Sequence, residues 1–290
     1  MANLIVGCGY LGERVLALWQ GRGEKVYAVT RSPERAAEWK EHGISPLVSD
    51  ISKPIAVASP TDIDTVLFAV GFDSKAGPSI REVYVDGLAR VLAWLPPTVQ
   101  RFIYISSTGV YGSFDGEWID EDAPCEPQRE GGKACLAAER LLAESQFSDR
   151  SVVLRLAGIY GPGRIPRAKD LLEGKPLEAV SSGYLNLIHV ADAANIVLLA
   201  EQKPTSRCLL VSDGQPVVRG EYYAELARLL KASPPQYAPA ANDPPIAKRG
   251  SADKRISNAR LVRELSPELL FPDYRAGLAD AVADWKARLQ

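Results

Sequence analysis

The hexapeptide Gly7-Cys8-Gly9-Tyr10-Leu11-Gly12 follows the apolar run Leu4-Ile5-Val6 and opens an amphipathic stretch carrying Val15, Leu18 and Trp19. Few topologies suit that order. In a glycine turn between a strand and a helix, the first glycine permits the tight bend. The second lets backbone approach a pyrophosphate, and the third lets helix and strand pack closely. An anion placed there meets the free N–H groups of a helix N-terminus. The pattern predicts a dinucleotide site made by Gly7, Gly9, Tyr10, Leu11 and Gly12; a purely structural turn is the competing reading.

The rest of the chain agrees with a crossover fold. Short runs rich in β-branched residues at 25–29, 46–48, 65–70, 101–105, 152–156 and 208–211 alternate with helical patterns. In 80–95, Tyr84, Leu88, Val91, Leu92 and Leu95 share one face at a period of about 3.6, which puts Tyr84 on the sheet-facing side. Stretches 133–145 and 191–202 read as helices too. The expected fold class is α/β, a doubly wound parallel Rossmann sheet of about seven strands with a small C-terminal substrate lobe. Residues 1–160 form the dinucleotide-binding domain, to which 189–212 returns. Residues 161–290 are mainly the substrate lobe, discontinuous, with 161–188 and 215–275 richer in Pro and Gly and 233–245 read as a loop.

Composition narrows the function classes. The chain has 290 residues, 46% hydrophobic and 24% charged, with a formal net charge of −2, the profile of an ordinary globular protein. No charge block asks for nucleic acid, and no apolar stretch is long enough for a bilayer. The run Leu4-Ile5-Val6 stops at Gly7, too short for a signal-peptide core. Four scattered cysteines show no metal-ligand spacing, so reduced thiols in a cytoplasmic protein are expected, with no metal. A small-molecule substrate is the expected partner.

The second strand ends Val29-Thr30-Arg31-Ser32, where an NAD-selective site carries an acidic residue about 20 positions past the loop. None is present. Arg31, with Ser32 and Arg35 assisting, reads as a 2′-phosphate site, which favours NADP(H) over NAD(H). Alternatively, Arg31 and Arg35 are solvated charges at a helix start. Asp50 stands where a carboxylate meets an adenine amino group, or where it caps a turn. Ala69, Val70 and Gly71, after the fourth run, complete the candidate cofactor set.

Further along come Ser106-Ser107-Thr108-Gly109-Val110-Tyr111-Gly112, then Val153-Leu154-Arg155, Ile159-Tyr160-Gly161-Pro162-Gly163, and Ile188-His189-Val190 with Asp192 and Ala194. In order and spacing this resembles the extended and atypical short-chain dehydrogenases/reductases, the NAD-dependent epimerase/dehydratase family, over roughly residues 3–200. The resemblance implies a dinucleotide-dependent oxidoreductase or epimerase and makes Ser107 the residue that binds the reacting oxygen. It also implies a Tyr-x-x-x-Lys pair, in which the ammonium lowers the tyrosine pKa so that the phenol trades a proton.

The sequence departs from the pattern at that pair. Counting back four from Lys133 reaches Arg129; aligning on Glu139 puts Gly131 and Cys135 in the Tyr and Lys places. Neither register holds a tyrosine. One reading is a protein that binds NADP(H) as a sensor or scaffold without turnover. The other transfers the phenol's task to Tyr84, with Lys133 as electrostatic partner, acting on a small hydroxy or keto compound.

Arg155, at the end of the sixth strand, reads as orienting the strand–loop junction; an ion pair at the core edge is the simpler reading. Arg164 could face an anionic substrate. Asn186 and His189 flank the return to the core, and His189 is most simply a hydrogen-bonded structural residue. Asp192 reads as a helix-start residue. Lys254, Arg255, Arg260 and Arg263 read as a solvated face, which argues against a nucleotide-sugar diphosphate. The helical stretches 80–95 and 133–145 pair into a homodimer in relatives.

Overall fold

The computed structural model describes residues 2–203, 205–238 and 253–288. Seven strands form one sheet: β1 (Ala2–Val6), β2 (Lys25–Thr30), β3 (Ser45–Val48), β4 (Ile63–Phe68), β5 (Arg101–Ser107), β6 (Ser151–Leu156) and β7 (Cys208–Val211). Their order is β7-β6-β5-β4-β1-β2-β3. β1 pairs in parallel with β2 and β4, β2 with β3, and β4 with β5. The order reverses between β1 and β4, the switch point at which doubly wound sheets bind ligands. Val6, the last residue of β1, lies opposite Val29 and Phe68. The chain therefore leaves the sheet at Gly7 beside the ends of both neighbours.

The chain forms two compact units. The first comprises residues 1–110, 125–155 and 194–209. It carries α1 (Gly12–Gly21), α2 (Pro33–Glu41), α3 (Gly87–Trp94) and α4 (Glu130–Ala143). Its core joins Leu4, Val66, Phe68, Leu88, Val91, Phe102 and Ala138, with Phe102 stacked on Phe147 at 6.0 Å. Fully burying one such side chain contributes about 1.5–3 kcal/mol, so the apolar face of each helix is what holds it to the sheet.

The stretch 80–95 is not one regular helix. Glu82–Asp86 is a π turn that feeds α3. Leu88, Val91, Leu92 and Leu95 are buried as expected, but Val85 takes the inward place near the start and Tyr84 is half-buried. The wider turn shifts the face by a residue, and π turns of this kind gather at functional sites.

The second unit comprises 111–124, 156–193 and 210–290. Along the chain come α5 (Ala168–Leu172), α6 (Val190–Gln202), which runs on into the first unit's residues, then α7 (Arg219–Leu230), α8 (Ala259–Leu265) and α9 (Tyr274–Ala287). Tyr160, Leu187, Tyr222, Leu226, Tyr274 and Leu278 form its core. A Cβ on Gly277 would run into the Tyr160 phenol, so that glycine is what lets α9 sit close. Residues 233–238 run irregularly, with Tyr237 bridging Leu177; positions 239–245 of the expected loop lie outside the described residues.

The basic segment near residue 255 is not a solvated face. Lys254 is buried and its ammonium donates to the carbonyls of Tyr111 and Gly112 (3.4 and 3.1 Å). Arg255 donates to the Gly116 carbonyl at 2.6 Å and stacks on Trp118 and Tyr184. Arg260 holds Asp122 at 2.6 Å and Glu121 at 3.4 Å. Arg255–Ile256 also pairs in parallel with Trp118–Ile119. These cations pin residues 111–122; of the four, Arg263 is the one whose side chain is largely exposed. Among the described residues no helix is long and apolar enough to cross a membrane.

Candidate functional site

The three loop glycines do separate jobs. Gly7 has φ +95°, and a Cβ there would fall 2.5 Å from the Val70 amide nitrogen and 2.6 Å from the Ala69 carbonyl. Gly12 lies against Gly7, where a Cβ would come within 2.6 Å of the Gly7 carbonyl oxygen. Gly9 is different: a Cβ there would meet nothing within 4 Å. Two glycines close the turn, and the third leaves space over it. The backbone N–H groups of Leu11 and Gly12 make no hydrogen bond among the described residues, as expected of donors at the start of α1. An open approach above bare amides at a helix N-terminus fits a pyrophosphate. Tyr10 lies under the Arg14 guanidinium at 4.2 Å, and Arg14 donates to the Tyr10 carbonyl at 2.6 Å. Burial pushes the Cys8 thiol up to about 12, so it stays protonated.

At the end of β2, Arg31 makes no hydrogen bond or ion pair among the described residues. Ser32 is already engaged: its hydroxyl accepts from the Arg35 amide (3.1 Å) as the N-cap of α2 and donates to Glu34 (2.7 Å). Arg35 donates to the Cys8 carbonyl at 2.9 Å and pairs with Glu13. It therefore ties the glycine loop to α2, a role composition could not show. Asp50 accepts from the amide and hydroxyl of Ser52 (3.0 and 2.7 Å) through Oδ1, which fits the turn-capping alternative. Ala69 donates its amide to the Val6 carbonyl at 2.8 Å, which keeps Ala69, Val70 and Gly71 alongside the loop.

Ser107 ends β5. Its half-buried hydroxyl oxygen accepts from the Gly109 amide at 3.1 Å, which leaves the hydroxyl proton to be donated elsewhere. Facing this turn is α4, and its rotation is set by Gly132: a Cβ there would fall on the Gly109 carbonyl oxygen and within 2.8 Å of the Pro127 side chain. A helix turns about 100° per residue, so Lys133 is sent outward. It is exposed and pairs with Glu130 at 2.8 Å. The structure does not bring Lys133 to Ser107. Cys135 and Glu139, three and seven positions after Gly132, share its inward face.

Beneath Ser107 lies a buried polar network that the sequence indicated only at Glu139 and Arg155. Ser106 donates to Glu139 at 2.5 Å, and Arg155 clasps the same carboxylate through Nε (3.1 Å) and Nη2 (2.7 Å). Burial pushes the Cys135 thiol up to about 11, with Glu139 adding to the rise and a Ser106 hydrogen bond opposing it. Tyr104 is buried and held well above the usual phenol range by burial, then by Cys135, Glu139 and Tyr84. Ion pairing at the core edge is thus the place of Arg155. The Phe72 amide donates to the Tyr84 hydroxyl at 3.2 Å, and the two rings meet edge to face.

In the second unit, His189 is 2% exposed; Nδ1 accepts from the Ala191 amide at 3.3 Å and Nε2 lies 3.4 Å from Asp280. Asp192 stands in the first turn of α6. Its carboxylate accepts from the amides of Leu270 and Phe271 (2.7 and 3.1 Å), fastening the approach to α9. Asn186 is a two-way clasp, donating to the Lys254 carbonyl and accepting from the Ile256 amide (2.9 and 2.7 Å).

A model of the NAD dependent epimerase/dehydratase family matches residues 3–208. The chain belongs to this family. Protein YeeZ of Escherichia coli K12 is 28% identical over 93% of this chain and 96% of its own length. The 3-diazoavenalumate denitrifying reductase of a Streptomyces species is 26% identical, over 96% of this chain and 99% of its own. UDP-glucose 4-epimerase of Thermus thermophilus, solved in complex with NAD, superposes with a TM-score of 0.78 at 19% identity, covering 99% of each chain; that likeness is one of fold. The inward face of α4 presents Gly132, Cys135 and Glu139, and neither a phenol nor an ammonium.

Proposed function

We propose that this family member is a nicotinamide-dependent oxidoreductase or epimerase of small hydroxy or keto compounds, with NADP(H) favoured over NAD(H). The observation that carries the reading is the open space over Gly9 above the bare amides of Leu11 and Gly12. When bound, the nicotinamide supplies a hydride acceptor or donor. The chain's own part is to hold and to polarise. Arg31, without a hydrogen bond or ion pair among the described residues and with no acidic residue next to it in β2, is suited to a 2′-phosphate. Ser107, its oxygen steadied by the Gly109 amide, gives its proton to the reacting oxygen. The reductase name of the Streptomyces relative supports reduction as the direction of chemistry. Four free thiols support a cytoplasmic setting.

Tyr84 is the phenol we assign to proton exchange with that oxygen; its hydroxyl oxygen accepts from the Phe72 amide. The check is Tyr84→Phe, assayed by NADPH consumption with a panel of small ketones. The variant is expected to lose turnover by at least tenfold with NADPH affinity unchanged, and unaltered turnover removes Tyr84 from the mechanism.

A second reading has its own observation. The inward face of α4 offers no phenol and no ammonium to Ser107, which favours a sensor or scaffold that binds NADP(H) without turnover. It predicts tight NADPH binding with no oxidation over the whole ketone panel.

A further inference from the structure

Arg219, the first residue of α7, is 2% exposed and has no carboxylate within ion-pair distance among the described residues. One terminal nitrogen donates to the carbonyls of Ser182 and Val180 (2.9 and 3.3 Å), and Nε is buried with no hydrogen-bond partner among the described residues. A guanidinium does not shed its proton in a protein. Asp253 acts on it only from beyond ion-pair distance, and a buried cation so incompletely matched is costly; proteins keep one where an anion completes it.

The cavity beside it supplies room for that anion. Its volume is about 430 Å³, within the size range of small-molecule sites, and it lies wholly within the second unit. Arg219 lines it together with Arg164, Arg167, Tyr222, Tyr223 and Leu185. Arg167 is partly neutralised by Asp170 at 3.0 Å, and Asp170 is not on the wall. The wall thus carries three guanidinium groups and no carboxylate. Apart from the neutral amide of Asn186, the other side chains of the wall are aromatic and aliphatic, a surface for a carbon body and not for a second charge.

We propose that this cavity binds a small organic acid, its carboxylate completing Arg219 and its hydrocarbon or aromatic body lying against Tyr222 and Leu185. The planar fork of Arg suits a carboxylate held by two parallel hydrogen bonds. That the acid is a hydroxy or keto acid rests on the hydride-transfer reading; the anion site does not.

The test is calorimetric titration of the full chain with pyruvate, 4-methyl-2-oxopentanoate and phenylpyruvate, with benzyl methyl ketone as the neutral counterpart and inorganic phosphate as the bare anion. At least one larger keto acid is expected to bind more than tenfold tighter than the neutral ketone and than phosphate. Arg219→Gln is expected to abolish that preference while NADPH titration is unchanged, which separates failure of this site from failure of the glycine loop. Should Arg219→Gln not fold, Arg167→Gln carries the same comparison, with a loss of several-fold. Absence of binding by all three acids overturns the proposal. So do equal affinity in the variants and phosphate binding as tight as any acid.

Discussion

Gly7 and Gly9 stand two positions apart and answer to different demands. Gly7 is held at positive φ against backbone that cannot give way, so Gly7→Ala is a folding defect, expected to cost about 2–3 kcal/mol. Gly9 has open space above it, so Gly9→Ala should leave the melting temperature within a degree or two of the wild type, yet weaken NADPH binding at least tenfold. Paired thermal melts and cofactor titrations check both; a Gly9 variant that binds as well as the wild type removes the loop from cofactor binding. Asp213 gives a residue-scale prediction of another kind. Burial raises its carboxyl from 3.8 to about 7, with Asp273 and Asp192 nearby, while the Gln215 amide opposes the rise at 2.9 Å. The native state therefore holds a proton that the unfolded chain has already released between about pH 4 and pH 7. Stability from this group is present below pH 4, falls as pH rises to about 7, and is flat above, a loss on the order of 4 kcal/mol. Asp213→Asn should remove that slope and stabilise the protein at pH 8, measured by urea unfolding at pH 5 and pH 8; a variant less stable than the wild type at pH 8 contradicts the assignment.

At the scale of elements, the contact that most constrains the candidate site is the pairing of α4 with β5 and β6 through Ser106, Glu139 and Arg155. Removing the charge by Glu139→Gln strands the buried Arg155 guanidinium and should cost about 3–5 kcal/mol in urea unfolding. A loss below 1 kcal/mol would show that solvent reaches the pair. The sheet strands were legible in the sequence because each is a short β-branched run between turn residues, and the structure moves their ends by at most two residues. Helices of the second unit were not. α7 begins Arg219-Gly220 and α9 starts two positions after Pro272, where the chain is richer in Pro and Gly, and α5 and α8 are only five and seven residues long. The rotation of α4 was equally invisible, because the group that fixes it, the Gly109 carbonyl, is 23 positions from Gly132 in sequence. Tyr84 was displaced from its expected face by a π turn that hydrophobic period alone does not reveal. Lys254 and Arg255 were misread because partners that are backbone carbonyls leave no trace in a charge pattern.

For the molecule as a whole, family membership and a sheet in the order 3-2-1-4-5-6-7 set the frame, and the glycine loop is the part of that frame with the clearest chemical meaning. What a doubly wound sheet does is decided by the residues grafted on it. Here the cofactor half of the site was readable because glycine spacing, strand and helix all fall within the first 21 residues. The catalytic half was not, since it depends on side chains from several elements turned by tertiary contacts. The measurement that bears most directly on the account is fluorescence titration of the full chain with NADPH, NADH, NADP+ and NAD+, repeated on Arg31→Ala. The account expects NADPH to bind at least tenfold more tightly than NADH, and the difference to vanish in the variant. Binding of none of the four dinucleotides by the folded wild-type protein would contradict both the catalytic and the sensor readings.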